Sequence, residues 1–356
     1  MADFQPNAMP SPKKKLLVFW SSFDFAHIYQ TGFASHPDFD IELVSAEAGA
    51  DEQAGYRRLL KLRCEVDEGK FDLVIANNIN RSPFPGHKGW ATTASLAARL
   101  FTVQHRRLDS WWAPWVVRGG KSRTPLAAID SRDGHYIFPW DQPLLEAATL
   151  YFKKDLMYWP RRALMPLMNF QGERRIKPHE GKLRPMSMGV EENRFVASPR
   201  PVHERDVDIF MSGNENNPLR RQVREKIEAL AGQYRVEVHT QMLPHEQYVE
   251  MLQRAKLAVC VESFGGETWR QYEVAAAGAV PLMSWPYTEV HNPLLPDVHA
   301  FYFSYMSDHF ERTVADALSD PVRLQRMSTA ASRFVVAEKG RGRLLNYIVE
   351  TALGAG

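Results

Sequence analysis

The stretch AVCVESFGGETWRQYEVAAAGAVPLMSWP (258–286) decides how the chain is read. LAVCVES (257–263) is a short apolar run suited to a strand buried on both faces. A Gly-containing loop follows, then a helical stretch from Glu267 to Ala277, then Gly278 as a helix stop. AVPLMSW (279–285) is a second strand. Strand, loop, helix and strand make a βαβ unit of a parallel sheet. Such a loop places free backbone N–H groups at a helix start, where phosphate binds. The helix dipole adds only ~0.3–1 kcal/mol when exposed, so a diphosphate needs a cation as well. Arg270, one turn into the helix, offers a bidentate, charge-assisted contact. Glu273 shares its face, three residues on, and suits a ribose rather than a phosphate.

The same alternation extends in both directions. VDIFMSGNENNPLRRQ (207–222) reads as a strand, a Ser212-Gly213 turn and a helix opening at Pro218, with Arg220 or Arg221 facing the turn. RVEVHT (235–240) and HAFYF (299–303) are strands, and His245–Lys256 is a helix. The first half gives strands at 14–20, 41–46, 71–78 and 124–130. Helices are expected over Asp51–Glu68, Ala91–Arg106 and Gln142–Leu156, and a final helix over 332–353. In the helix from Asp51, residues Tyr56, Leu59, Leu60 and Leu62 lie on or near one face.

With its length of 356 residues the chain is comfortable as two domains. Residues 151–200 carry eleven Lys/Arg against five Asp/Glu, a local net of +6 in a chain of net +2, and several prolines break regular structure there. This reads as the connection between two Rossmann-like domains, whose ligands bind at the carboxyl ends of the strands. Cys64 and Cys260 lie far apart and are read as two buried thiols in a reducing compartment. No run is long enough to cross a membrane, and residues 1–12 read as a disordered lead-in.

R-Q-Y-E-V-A-A-A-G-A-V-P (270–281) resembles the donor-binding signature of exostosin-like and related GT-B glycosyltransferases, in which an R-x-Y-E-A run precedes small residues and G-x-[IV]-P. The resemblance is good over 205–305 and weak over the N-terminal half. It implies an α/β, GT-B fold, with two Rossmann-like domains facing a central cleft. An acceptor domain would span 13–190, a nucleotide-sugar domain 200–330, and a helix within 331–356 would cross back to the first. It further implies that Glu273 holds the donor ribose and Arg270 the diphosphate. The donor site would also draw on Ser212, Gly213, Arg220, Arg221, Glu262, Ser263, Gly265, Gly266, Glu267, Thr268 and Trp269, with no metal and no cofactor beyond the nucleotide-diphosphate sugar as co-substrate. Many retaining enzymes of this fold carry a further Glu eight residues before the first. That position here is Gly265, flanked by Glu262 and Glu267, which points to an inverting mechanism.

An inverting enzyme needs a base for the acceptor hydroxyl. Candidates follow three strands: Asp24 and His27; Asn77, Asn78 and His87; and Asp130, Asp133 and His135. Asp206-Val-Asp208 has the form of a D-x-D metal motif, but it precedes a strand and reads as that strand's solvated start. Trp111, Trp112 and Trp115 near Arg106, Arg107 and Arg118 suit either a core with an arginine rim or sugar stacking. The expected activity is sugar transfer to a glycan, lipid-linked or other hydroxyl acceptor. Rivals are an inactive nucleotide-sugar or glycan binder, a nucleotide-sugar epimerase, and a glycosyltransferase acting on modified nucleic acid, which the near-neutral charge disfavours. A cytoplasmic location is expected, with the basic stretch 153–175 as a place to touch anionic lipid.

Overall fold

The computed structural model describes residues 12–20, 36–45, 52–77, 109–117, 121–134, 137, 141–157, 176–190, 199–214, 217–262 and 265–355. The helix expected over 91–106 lies outside them. The chain divides into two compact units. One comprises Met1–Ile129, Pro143–Leu150 and Val349–Gly356; the other comprises Asp130–Gln142 and Tyr151–Ile348.

In the first unit, β1 (Lys14–Trp20), β2 (Phe39–Ser45), β3 (Leu73–Asn77) and β4 (Leu126–Asp130) lie in the order β2-β1-β3-β4. All are parallel, with Leu16 opposite both Ile41 and Leu73. Leu16, Leu17, Leu73, Val74 and Ile75 are fully buried, as continuous apolar strands covered on both faces must be. Helix α1 (Glu52–Asp67) buries Leu59, Leu62 and Val66, a stripe at helical spacing, while Leu60 stands 40% exposed and leaves the expected face. Cys64 on the same helix is exposed, so only Cys260 is a buried thiol. Helix α2 (Asp109–Val116) carries Pro114.

The helix expected over 142–156 is corrected. It stops at Ala147 (α3, Gln142–Ala147) and gives way to β5 (Leu150–Lys153) and β6 (Leu156–Met157). Thr149-Leu150-Tyr151-Phe152 is a β-branched and aromatic run that fits a pleated surface better than a helix. Ladder bonds bear this out: Thr149 N donates to Leu126 O at 2.8 Å and Lys154 N to Asp130 O at 2.9 Å. In the second unit β5 pairs in parallel with β7 (Leu183–Pro185).

The second unit also holds a parallel five-stranded sheet of order β13-β11-β10-β8-β9. Its strands are β8 (Val207–Ser212), β9 (Val236–His239), β10 (Ala255–Cys260), β11 (Val280–Ser284) and β13 (Phe301–Phe303). A short β12 (Thr288–Glu289) pairs with β6 instead. Counted along the chain, the order reverses between β8 and β10, which both neighbour each other and lead outward. That reversal is where open α/β sheets bind ligands, beyond the carboxyl ends of the strands. Helices α4 (Pro218–Ala229), α5 (His245–Arg254), α6 (Arg270–Ala276) and α7 (His309–Ser319) alternate with these strands. Val223 and Ile227 of α4 and Phe310 and Val314 of α7 meet Ile209, Val259, Leu282 and Phe303 in the core.

The single final helix is likewise corrected. There are two, α8 (Pro321–Glu338) and α9 (Arg341–Gly354). Asp320 caps α8 by accepting from Arg323 N at 2.9 Å. The break falls at Lys339, which turns inward to 2% exposure and donates to Ser187 Oγ at 2.9 Å and His291 O at 2.7 Å.

Candidate functional site

Strand β8 ends at the ligand-binding edge with Ser212, itself buried, and the chain then turns at Gly213. Gly213 has φ +130°, a conformation open only to glycine. Its N–H donates to His239 O at 2.9 Å. A β-carbon here would stand 2.5 Å from Arg270 Nη2 and 3.1 Å from Nη1. The two motifs, 57 residues apart in sequence, therefore meet: the guanidinium from the start of α6 lies on the backbone after β8.

Arg220 joins them from the first turn of α4. Asn217 fixes that turn, its side chain accepting from Leu219 N at 2.8 Å and donating to Glu262 O at 3.0 Å. Burial, with the Arg270 charge beside it, lowers the pKa of Arg220 below its usual value. The Nε–H groups of both Arg220 and Arg270 are buried with no acceptor among the described residues. Two guanidiniums whose charges act on each other and whose Nε–H groups are unused would suit a polyanion. Arg221 is exposed. Helix α6 is only seven residues long and begins at Arg270 rather than Glu267, so cationic side chains, not a helix dipole, supply the attraction.

Glu273 accepts from Tyr248 Oη at 3.2 Å. Burial first, then the Glu273 carboxylate, push the Tyr248 phenol well above its ordinary pKa, and the Arg270 charge opposes them. Tyr248 thus holds the Glu273 carboxylate in place. Burial pushes the nearby Cys260 thiol up to about 12, so it stays protonated. Glu262 accepts from Ser284 Oγ at 3.3 Å, and burial raises its pKa.

The rest of the loop is divided. Ser263 lies outside the described residues. Gly266 sits under Thr288, whose Oγ1 would be 2.7 Å from a β-carbon there. Thr268 and Trp269 are half-buried. Glu267 is only 3% exposed and points into the protein. It accepts from Tyr272 Oη and from Met188 N at 3.0 Å, so it braces the loop from within.

Of the candidate bases, Asp24, His27, Asn78, His87 and His135 lie outside the described residues. Asp130 is fully buried. It accepts from Arg132 Nε and Nη2 and from Tyr151 Oη, all at 2.9 Å, with Lys153 Nζ 3.6 Å away. Burial pushes its pKa up, but Arg132 and Lys153 outweigh that and hold it at about 2. A sealed, doubly countered carboxylate does not accept a proton from a substrate, and the expectation that Asp130 serves as base is corrected on that ground. Asp133, three residues on, is different: its side chain is 39% exposed. Asp206 and Asp208 are ion-paired to Arg254 and Lys256, each at 2.6 Å, as suits a strand's solvated start.

Three residues of this region escape the sequence reading: Tyr248, Lys154 and Asp155. Nothing local marks Tyr248, whose partner Glu273 is 25 residues away. Lys153-Lys154-Asp155 carries a signal, three consecutive charges inside an otherwise apolar run.

No family model matches the chain, and no curated protein matches it in sequence. Solved structures do resemble it. An α-glucosyltransferase in complex with UDP-glucose and DNA containing an abasic site aligns over 96% of this chain and 100% of its own, at TM-score 0.54 and 10% identity. A glycosyltransferase from Rickettsia africae aligns over 96% and 98%, at TM-score 0.54 and 8% identity. HepE from Anabaena in complex with UDP aligns over 95% and 99%, at TM-score 0.50 and 11% identity. The chain has their fold: α/β, GT-B, built on two parallel, Rossmann-like sheets.

Proposed function

We propose that this GT-B protein is a glycosyltransferase that moves a sugar from a nucleoside-diphosphate sugar to a hydroxyl acceptor. The observation that carries the reading is the arrangement of Arg270 on Gly213 with Arg220 beside it, two cations with unused buried donors at the sheet's topological switch. A diphosphate satisfies both. Glu273, held by Tyr248, takes the ribose hydroxyls. In the reaction the acceptor oxygen bonds to the anomeric carbon, and the bond from that carbon to the diphosphate breaks. The electron pair leaves with the nucleoside diphosphate, where the arginines neutralise the developing charge. The acceptor's proton passes to a base at the carboxyl end of an N-terminal strand. The donor lies on the 200–330 region and the acceptor on 13–190. An exostosin-like donor domain, inversion at the anomeric carbon and activity without a metal complete the proposal; chelation is expected to leave turnover unchanged.

The test is thermal stabilisation by a panel of nucleoside diphosphates and nucleotide sugars, beginning with UDP and UDP-glucose, which the structural neighbours hold. A ligand at 100 times its dissociation constant adds roughly 2.7 kcal/mol. Wild type and Arg221→Ala should be stabilised by one nucleotide family, and Arg270→Ala and Glu273→Ala should lose the shift. Equal shifts in all four proteins, or none, would sink the donor-site reading.

A further inference from the structure

Lys154 and Asp155 follow β5 and bring the loop after β4 against the middle of the 262–269 loop. Asp155 is buried to 1% and holds φ +58°, a left-handed conformation that is unusual outside glycine and that persists only where its surroundings enforce it. Its two carboxylate oxygens are spent on two backbones. One accepts from Gly134 N at 2.9 Å, the other from Glu267 N at 3.2 Å. Asp155 is thus a clamp between the two loops. Lys154, 1% exposed, pairs with Asp133 Oδ1. Asp133 Oδ2 has no partner among the described residues, and the side chain stays 39% exposed.

The clamp has its counterpart at Gly265. A β-carbon at Gly265 would collide with Asp155 Oδ2 and stand 3.0 Å from Asp133 Oδ1. The absence of a side chain at 265 therefore makes the room in which a carboxylate from another segment is presented to the donor loop. A half-exposed carboxylate, charge-held on one oxygen, is suited to accept hydrogen bonds from neutral hydroxyls. It would repel a phosphate. The arginine assigned to the diphosphate opens the helix after that loop, five residues further along the chain.

We infer that Asp133 binds the hydroxyls of the transferred sugar, with Lys154 and Asp155 as its positioning residues and Gly265 as the opening it requires. The inference rests on the donor-site reading above. It makes Asp133 a sugar-selecting group and leaves the acceptor's proton to Asp24, His27, His87 or His135.

The experiment measures dissociation constants for each nucleotide sugar of a panel (UDP-glucose, UDP-galactose, UDP-N-acetylglucosamine, GDP-mannose) alongside its free nucleoside diphosphate. The readout is the ratio of the two constants. For Asp133→Asn and Lys154→Met this ratio should move about tenfold against the sugar, the size of losing hydrogen bonds to a charged group, while binding of the free nucleotide stays at the wild-type value. Lys154→Arg, which keeps the charge, should restore most of the ratio. Retained nucleotide binding certifies that each variant is folded. An unchanged ratio in Asp133→Asn, or an equal loss for nucleotide and nucleotide sugar, overturns the inference. A wild type that binds no nucleotide at all is a different failure: it removes the donor site itself, and this subsite with it.

Discussion

The guanidinium of Arg270 packs on Gly213 so closely that a β-carbon there would lie 2.5 Å from its Nη2. Neither residue makes an anion site alone. A glycine turn after a strand is common, and one arginine on a short helix is usually solvated. Set against each other at the switch of the sheet, they leave the backbone bare on one side and a cation on the other. With Arg220 adding a second charge, the geometry calls for a ligand with more than one negative charge.

Gly213→Ala should strike this relationship directly. The φ of +130° strains any L side chain by ~1–3 kcal/mol, and the new methyl must displace Arg270. Thermal unfolding should register the strain, and calorimetric titration should show UDP affinity reduced by about tenfold or more. In the background of Arg270→Ala the same change should add little further loss of affinity, because the displaced group is already gone. Full additivity would show that the two residues act separately.

Asp130 governs acid stability rather than chemistry. Its pKa falls from the usual 3.8 to about 2 on folding. A depressed carboxylate contributes stability above its unfolded pKa and loses it as pH falls toward the folded one. Asp130 should therefore add about 2 kcal/mol at neutral pH, lost between roughly pH 4 and pH 2. Asp130→Asn should flatten that limb of the stability profile and destabilise the fold by about 3–5 kcal/mol, since Arg132 and Lys153 remain buried with less compensation. Chemical denaturation across pH reads both effects. A stable variant that has lost only turnover would mean that Asp130 is a base after all.

Glu267 and Lys339 are both buried on Tyr272, which donates to the carboxylate through its hydroxyl and carries the Lys339 ammonium 5.0 Å over its ring. Burial lowers Lys339 from 10.5 to about 8, with Glu267 opposing, and burial raises Glu267. Between those two values the unfolded chain holds the lysine proton more firmly, so stability should rise as pH increases from about 8 to about 10.5. Lys339→Met should abolish that rise and, by stranding Glu267, destabilise by about 3–5 kcal/mol. Adding Glu267→Gln should recover much of the loss. Additive single effects in this cycle would mean that the two charges do not feel each other.

The alternation of buried apolar runs with amphipathic helices was legible because period and composition are local. VDIFMSG, LAVCVES and AVPLMSW announce β8, β10 and β11 within a residue or two or three of their ends. Two elements were misread where local signals conflict. Gln142–Leu156 reads as one helix, yet its second half forms β5, because the β-branched and aromatic run from Thr149 pairs in the sheet. The single helix over 332–353 breaks at Lys339, whose ammonium finds acceptors only when it turns inward.

By itself, then, the sequence determined the parallel α/β architecture and singled out Gly213, Arg270 and Glu273, because strand periodicity, glycine turns and a charged residue one turn into a helix are written in adjacent positions. Only the tertiary structure decided which of them meet. It placed Arg270 on Gly213, chose Arg220 over Arg221, sealed Asp130 behind Arg132, turned Glu267 inward, and set Asp133 beside Gly265 through Lys154 and Asp155. The physical reason is that burial and charge pairing are properties of a place in the fold. A carboxylate three residues from another can be a sealed counter-ion or an open ligand, and nothing short of the packing around it separates the two.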